Sequence, residues 1–192
     1  MKQRGDTIVE VIIAFAVFSL LSMITLSIMN RGLASAQNSL EVSLVRQQLD
    51  AQADILRYVR DSAKAADKLM WQGIRSSGSL VSQANLQTTE KLLTNGCPEA
   101  FPPGAFVLAI SSSGAIEKLS QPQQYKPASM YSGVMKNASN VSTAYGLWVQ
   151  PVAAAKSAGS PDAYDMHIRA CWYSAGNDRP TTLATIVRLY GT

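Results

Sequence analysis

Between Val11 and Met29 the chain carries no charged residue for 19 positions. Coiled as a helix at 1.5 Å per residue, that run spans about 28 Å, close to the roughly 30 Å hydrocarbon core of a bilayer. It predicts one membrane-crossing helix near the N-terminus and leaves the rest of the chain to fold outside the membrane. A single acid, Glu10, stands at the head of the run, after Asp6-Thr7-Ile8-Val9. A carboxylate there is costly unless something answers its charge, so Glu10 is a candidate functional residue. The bland alternative is a side chain reaching back to the headgroups.

Charge orients the segment. Lys2 and Arg4 precede the apolar run, while only Arg31 lies close behind it. The excess of positive charge predicts a cytoplasmic N-terminus and export of residues 30–192. The chain has 17 basic and 13 acidic residues, and without Lys2 and Arg4 the basic count falls to 15, leaving a net charge too small and too scattered to argue for nucleic acid. Both cysteines, Cys97 and Cys171, fall in the exported part. In an oxidising compartment the pair reads as a disulfide, the alternative being two buried thiols.

Proline then divides the chain. All eight prolines lie between Pro98 and Pro180, and the first 72 residues contain only Gly5 and Gly32 as glycines. Nothing breaks a helix from about Thr7 to the late sixties, a rod of roughly 60 residues and about 90 Å. Past the membrane run, Leu33, Gln37, Leu40, Leu44, Gln48, Ala51, Ile55, Val59, Ala63 and Ala66 recur every three or four residues, and Glu41, Asp50, Asp54 and Arg57 fill much of the rest. That pattern predicts an amphipathic continuation with one face to bury, and Arg57 and Asp61 are spaced to pair.

Trp71 to Gln87 reads as a loop with a short helix, and Thr88–Leu93 as one helical turn. From Phe106 the period becomes that of strands: 106–110 and 116–119 around a Ser-rich hairpin, then 144–149, 164–173 and 182–190. Alternation in Tyr164, Met166, Ile168, Ala170 and Trp172 against Asp165, His167 and Arg169 predicts an antiparallel sheet with one face free and the other covered by the amphipathic helix. The fold class is α+β: a long N-terminal helix on a C-terminal antiparallel sheet, with segments 1–5, 6–30, 31–68 and 69–192.

The segment Arg4-Gly5-Asp6-Thr7-Ile8-Val9-Glu10-Val11-Ile12-Ile13-Ala14 resembles the class III signal of type IV pilins and pseudopilins. In that family a short basic leader ends in glycine, followed by one residue, threonine, two apolar residues and glutamate, then an apolar helix. The resemblance implies cleavage by a prepilin peptidase between Gly5 and Asp6, and an assembly role for Glu10 with the new terminus at Asp6. A neighbouring subunit's terminal amine would neutralise Glu10 inside a bundle of apolar helices and set axial register, as a buried polar residue does in a coiled coil. It further implies residence in the cytoplasmic membrane before assembly and in an extracellular filament afterwards. Implied partners are other pilin subunits, the peptidase, the assembly platform and its ATPase, the membrane, and an external surface or DNA as ligand.

The chain departs from the family pattern in two places. Asp6 stands where phenylalanine or methionine is usual, and its charge beside the amine means that neither N-methylation nor a simple amine–Glu10 pair follows from the likeness. No proline interrupts the membrane run, so any softening there rests on Ser19, Ser22, Thr25, Ser27 and Gly32.

Three functions compete. The first is a structural pilus subunit for adhesion and twitching motility, without enzyme activity or cofactor. The second is a pseudopilin of a type II secretion or DNA-uptake machine, for which Lys118, Lys126 and Lys136 would carry salt-sensitive DNA binding. The third is a single-pass anchored ectodomain, or one secreted by cleavage after Ala34-Ser35-Ala36. Chemistry in the head is thin. Asp165 and His167 can form a carboxylate–imidazole pair, but no activated nucleophile accompanies them. Asp162, Asp165 and His167 match no defensible metal-ligand spacing. Asn137-Ala138-Ser139 and Asn140-Val141-Ser142 satisfy a glycosylation sequon, and Trp148, Trp172 and Tyr190 read as packing residues.

Overall fold

The computed structural model describes residues 6–137, 139–154, 162–174 and 177–191. The chain divides into two compact units, Met1–Leu40 and Glu41–Thr192. Helix α1, Asp6–Asp61, supplies all the described residues of the first and opens the second.

In the first unit, no residue from 8 to 40 is buried. The helix from Ile8 onward is long and apolar enough to cross a membrane. Three of its hydroxyls are satisfied along the helix: Ser19, Ser22 and Thr25 donate to the carbonyl oxygens of Phe15, Phe18 and Leu21 at 2.8–2.9 Å. Bonding back by one turn lets a polar side chain sit in an apolar run. The helix continues through Gly32 without a break.

The second unit is α+β. After α1 come α2 (Ala65–Arg75) and α3 (Thr89–Asn95), then eight strands: β1 Val107–Ile110, β2 Ile116–Leu119, β3 Tyr125–Lys126, β4 Gly133–Lys136, β5 Ser142–Tyr145, β6 Leu147–Ala153, β7 Ala163–Trp172 and β8 Thr181–Tyr190. They form an antiparallel hairpin β1-β2, a small sheet β3-β5-β4, and the main antiparallel sheet β6-β7-β8. In the small sheet, β3 runs parallel to β5 and β4 antiparallel. A single bridge between Phe106 and Val149 joins the hairpin to β6.

Helix α1 stops at Asp61 rather than in the late sixties. Ser62 turns the chain: its hydroxyl donates to the buried Asp67 carboxylate at 2.6 Å and accepts from the Lys64 N–H at 3.2 Å. Those local bonds compete with helix continuation, and α2 starts afresh at Ala65. The buried seam of α1 is also rotated by about one residue from the predicted face. Glu41, Val45, Leu49, Gln52, Ala53, Leu56 and Val59 are buried, whereas Leu44, Gln48 and Ile55 lie half-buried at the margin and Ala51 is exposed. Two polar residues in the seam explain the shift, because each hides its inward position from a hydrophobicity count. Arg57 pairs with Asp54 at 2.7 Å, not with Asp61, whose oxygens are held by Arg60.

One face of the main sheet presents Leu147, Val149, Met166, Ile168, Ala170, Trp172, Val187 and Leu189 to the core that α1 joins. The opposite face is not free, as the alternation predicted. Trp148, Gln150 and Val152 of β6 and Arg169 of β7 are buried on that side. Residues 81–105 cover it. The buried Gln150 accepts from the Gln87 N–H at 3.0 Å and donates to the Asn85 and Pro103 carbonyls, while Val81 and Leu86 pack on Val152. A polar face can be buried when its groups are met in this way. Only along β8 does this side stay open, with Ala184, Ile186 and Arg188 exposed.

Between β5 and β6 the chain turns a corner at Gly146, which has φ +56°. A Cβ there would collide with the Cys171 carbonyl oxygen and come within 2.8 Å of Ala128. Glycine is therefore required twice over, and the single strand predicted across 144–149 is two.

Candidate functional site

Glu10 sits in the second turn of α1 with its side chain exposed. It has no hydrogen-bond or ion-pair partner among the described residues, and its neighbours for the next two turns are the exposed Val11, Ile12, Ile13, Phe15, Val17 and Phe18. On a helix, Asp6 and Ala14 stand one turn to either side of Glu10. Asp6 is the first residue of α1, and Gly5 lies outside the described residues. The helix thus presents the Glu10 carboxylate on an apolar surface, with Asp6 one turn before it and no cation paired with it among the described residues.

The Cys97–Cys171 pair is a disulfide, with sulfurs 2.08 Å apart and Cα atoms 5.4 Å apart. It fastens the segment after α3 to the central strand β7. Two further polar anchors escaped the sequence pattern. Gln52, buried in α1, donates to the Leu108 carbonyl at 2.7 Å and accepts the Leu108 N–H at 3.0 Å, so the helix satisfies β1 as a neighbouring strand would. Glu41, assigned by its charge to the solvent side, is buried and accepts from the Trp172 indole at 3.2 Å and the Ser174 hydroxyl at 2.6 Å. A local signal for either would have been a polar residue standing in phase with Val45, Leu49 and Leu56.

Asp165 and His167 share a sheet face, with no hydrogen bond between them among the described residues. Both Asp165 oxygens are taken by Arg188 at 2.7 and 2.8 Å. That bond holds the carboxyl below its ordinary range. His167 is half-buried, and desolvation, reinforced by the nearby Arg169, pushes its imidazole below the usual value. Among the described residues no group of three or more metal-ligating side chains gathers. Lys118 lies half-buried with its Nζ 4.9 Å over the Phe106 ring, while Lys126 and Lys136 are exposed on β3 and β4. The three occupy different strands of two sheets. Trp148 and Trp172 are fully buried, whereas Tyr190 is exposed and not a packing residue. In the sequons, Asn137 accepts the Val141 N–H at 2.9 Å, Ala138 lies outside the described residues, and Ser142 is buried.

Comparisons with protein-family models, with curated proteins and with solved structures find no match to this chain.

Proposed function

We propose that the chain is a subunit of a type IV pilin-like filament, cut between Gly5 and Asp6 and assembled through its N-terminal helix. The observation that carries this reading is Glu10: an exposed carboxylate without a partner among the described residues, heading a charge-free apolar helix in register with Gly5 and Thr7. In a bundle of such helices an uncompensated carboxylate is strongly disfavoured. The terminal amine freed at Asp6 of a second copy supplies the opposite charge, and the Asp6 carboxylate beside it makes that amine's local environment unlike the family's usual one. Transfer from bilayer to bundle exchanges one apolar setting for another, so assembly turns on this pairing. The second unit then forms the external part, suited to adhesion, while an assembly platform and its ATPase drive extension and retraction. This reading requires no enzyme activity.

Replacing Glu10 by alanine leaves the protein in the membrane and lowers its incorporation into filaments by ~10-fold or more, since breaking one desolvated ion pair costs roughly 3 kcal/mol. Filament yield by shear and immunoblot, against membrane content, measures it. Unchanged incorporation counts against the reading. So does an intact Met1 in the mass of the mature protein, which indicates a plain anchored ectodomain, or a terminus at Gln37, which indicates a secreted one.

A further inference from the structure

Three cations converge beside α2, away from Glu10 in sequence and independent of any assembly role. Arg60 comes from the last turn of α1, and Lys68 and Arg75 stand two turns apart on α2. With Trp71 and Gln72 they wall a cleft of about 230 Å³. Asp61 occupies Nε and Nη2 of Arg60 at 2.7 and 2.8 Å, leaving Nη1 uncommitted. The side chains of Lys68 and Arg75 have no hydrogen bond or ion pair among the described residues. Trp71 is only 3% exposed, its ring stands edge-to-face with Tyr164 at 6.1 Å, and its indole N–H meets no acceptor among the described residues.

Lys68 and Arg75 line this hollow without a counter-charge among the described residues, beside an Arg60 that Asp61 answers on only one side. An anion relieves that repulsion. Guanidinium groups match the paired oxygens of a tetrahedral oxyanion, and an ammonium adds a point charge. We propose that this cleft binds a phosphate-type oxyanion, free or as the head of a small ester. Arg75, Lys68 and Arg60 Nη1 supply the charge, with the Gln72 amide as a further donor, and the Trp71 ring, which lines the cleft with its N–H buried, reports occupancy.

The full chain in maltoside micelles, labelled with ¹⁵N at tryptophan, tests this. Inorganic phosphate is titrated at constant ionic strength against chloride. One of the three indole resonances, Trp71's, is expected to shift and saturate while those of Trp148 and Trp172 stay in place. Lys68→Gln, at an exposed position, and Arg75→Gln, at a half-buried one, each weaken binding by roughly tenfold, the loss expected for one charge-assisted hydrogen bond. Glycerol phosphate saturating the same resonance more tightly assigns the ester as the source, and weaker saturation assigns the free anion. No shift, an equal shift with chloride, or undiminished affinity in the Lys68→Gln/Arg75→Gln double variant overturns the proposal. The Trp148 and Trp172 resonances report that the variants are folded.

Discussion

At the level of single residues, the second unit depends on polar side chains placed where apolar ones would be expected. Gln52, Gln150 and Glu41 each satisfy backbone or indole groups that burial would otherwise strand. His167 adds a dependence on pH. Its folded-state pKa lies below the unfolded value because burial disfavours the cation. Below about 6.5 the unfolded chain therefore binds more protons at this residue than the folded one, and stability falls as pH drops toward the folded value. Asp165 acts in a lower window: its depressed pKa contributes stability above the ordinary carboxylate value that is lost as pH falls through the folded one. Urea midpoints of the full chain in micelles, followed by tryptophan fluorescence from pH 8 to pH 5, are expected to decline at the acid end. In His167→Asn the part of that slope near pH 6 is expected to vanish. A slope unchanged in the variant would show that His167 is not the source.

Among the elements, the long helix and the strands β7 and β8 were legible because their signals repeat. A charge-free run, an absence of proline and ten alternating residues leave little choice. What stayed hidden depends on single residues whose meaning is tertiary. Ser62 ends α1 only because Asp67 receives its hydroxyl, and the seam of α1 contains Glu41 and Gln52 only because Trp172 and Leu108 meet them. Strands β3 and β4 pair with β5 over two and four residues, too short for any period to show. The division of one predicted strand into β5 and β6 rests on Gly146 alone. Gly146→Ala adds a methyl against the Cys171 carbonyl in a backbone conformation that side chains avoid. The expected cost is about 3 kcal/mol or more, read as a lowered urea midpoint. Alanine tolerated there at full stability would mean that the corner relaxes freely.

For the whole molecule, the disulfide is the one covalent tie between distant parts of the sequence in the second unit. Its pairing was readable from compartment and count, and the structure adds what it holds: the covering segment after α3 against β7. Closing a loop of this length stabilises the fold by about 4 kcal/mol on the chain-entropy estimate. Replacing both cysteines by serine is expected to lower unfolding free energy by that amount, with early amide exchange in residues 81–97. Exchange that rises uniformly instead would assign the effect to the unfolded chain only. The proposed assembly site was the opposite case. Gly5, Thr7 and Glu10 were visible in the letters, because their register needs no tertiary context, while the partner charge that the proposal gives Glu10 belongs to another copy.

The two borders of the main sheet are unequal. β6 is sealed: Phe106 bridges Val149, and the Pro151 carbonyl takes the Val81 N–H at 2.7 Å, at a residue with no amide proton to offer. β8 has no such seal among the described residues. Its ten-residue rim leaves amides and carbonyls unanswered beside the exposed Ile186 and Tyr190. Any foreign strand that lengthens this sheet, whether in misfolded aggregates or in exchange between copies, must therefore arrive on the β8 side, so lateral recruitment is one-directional by construction.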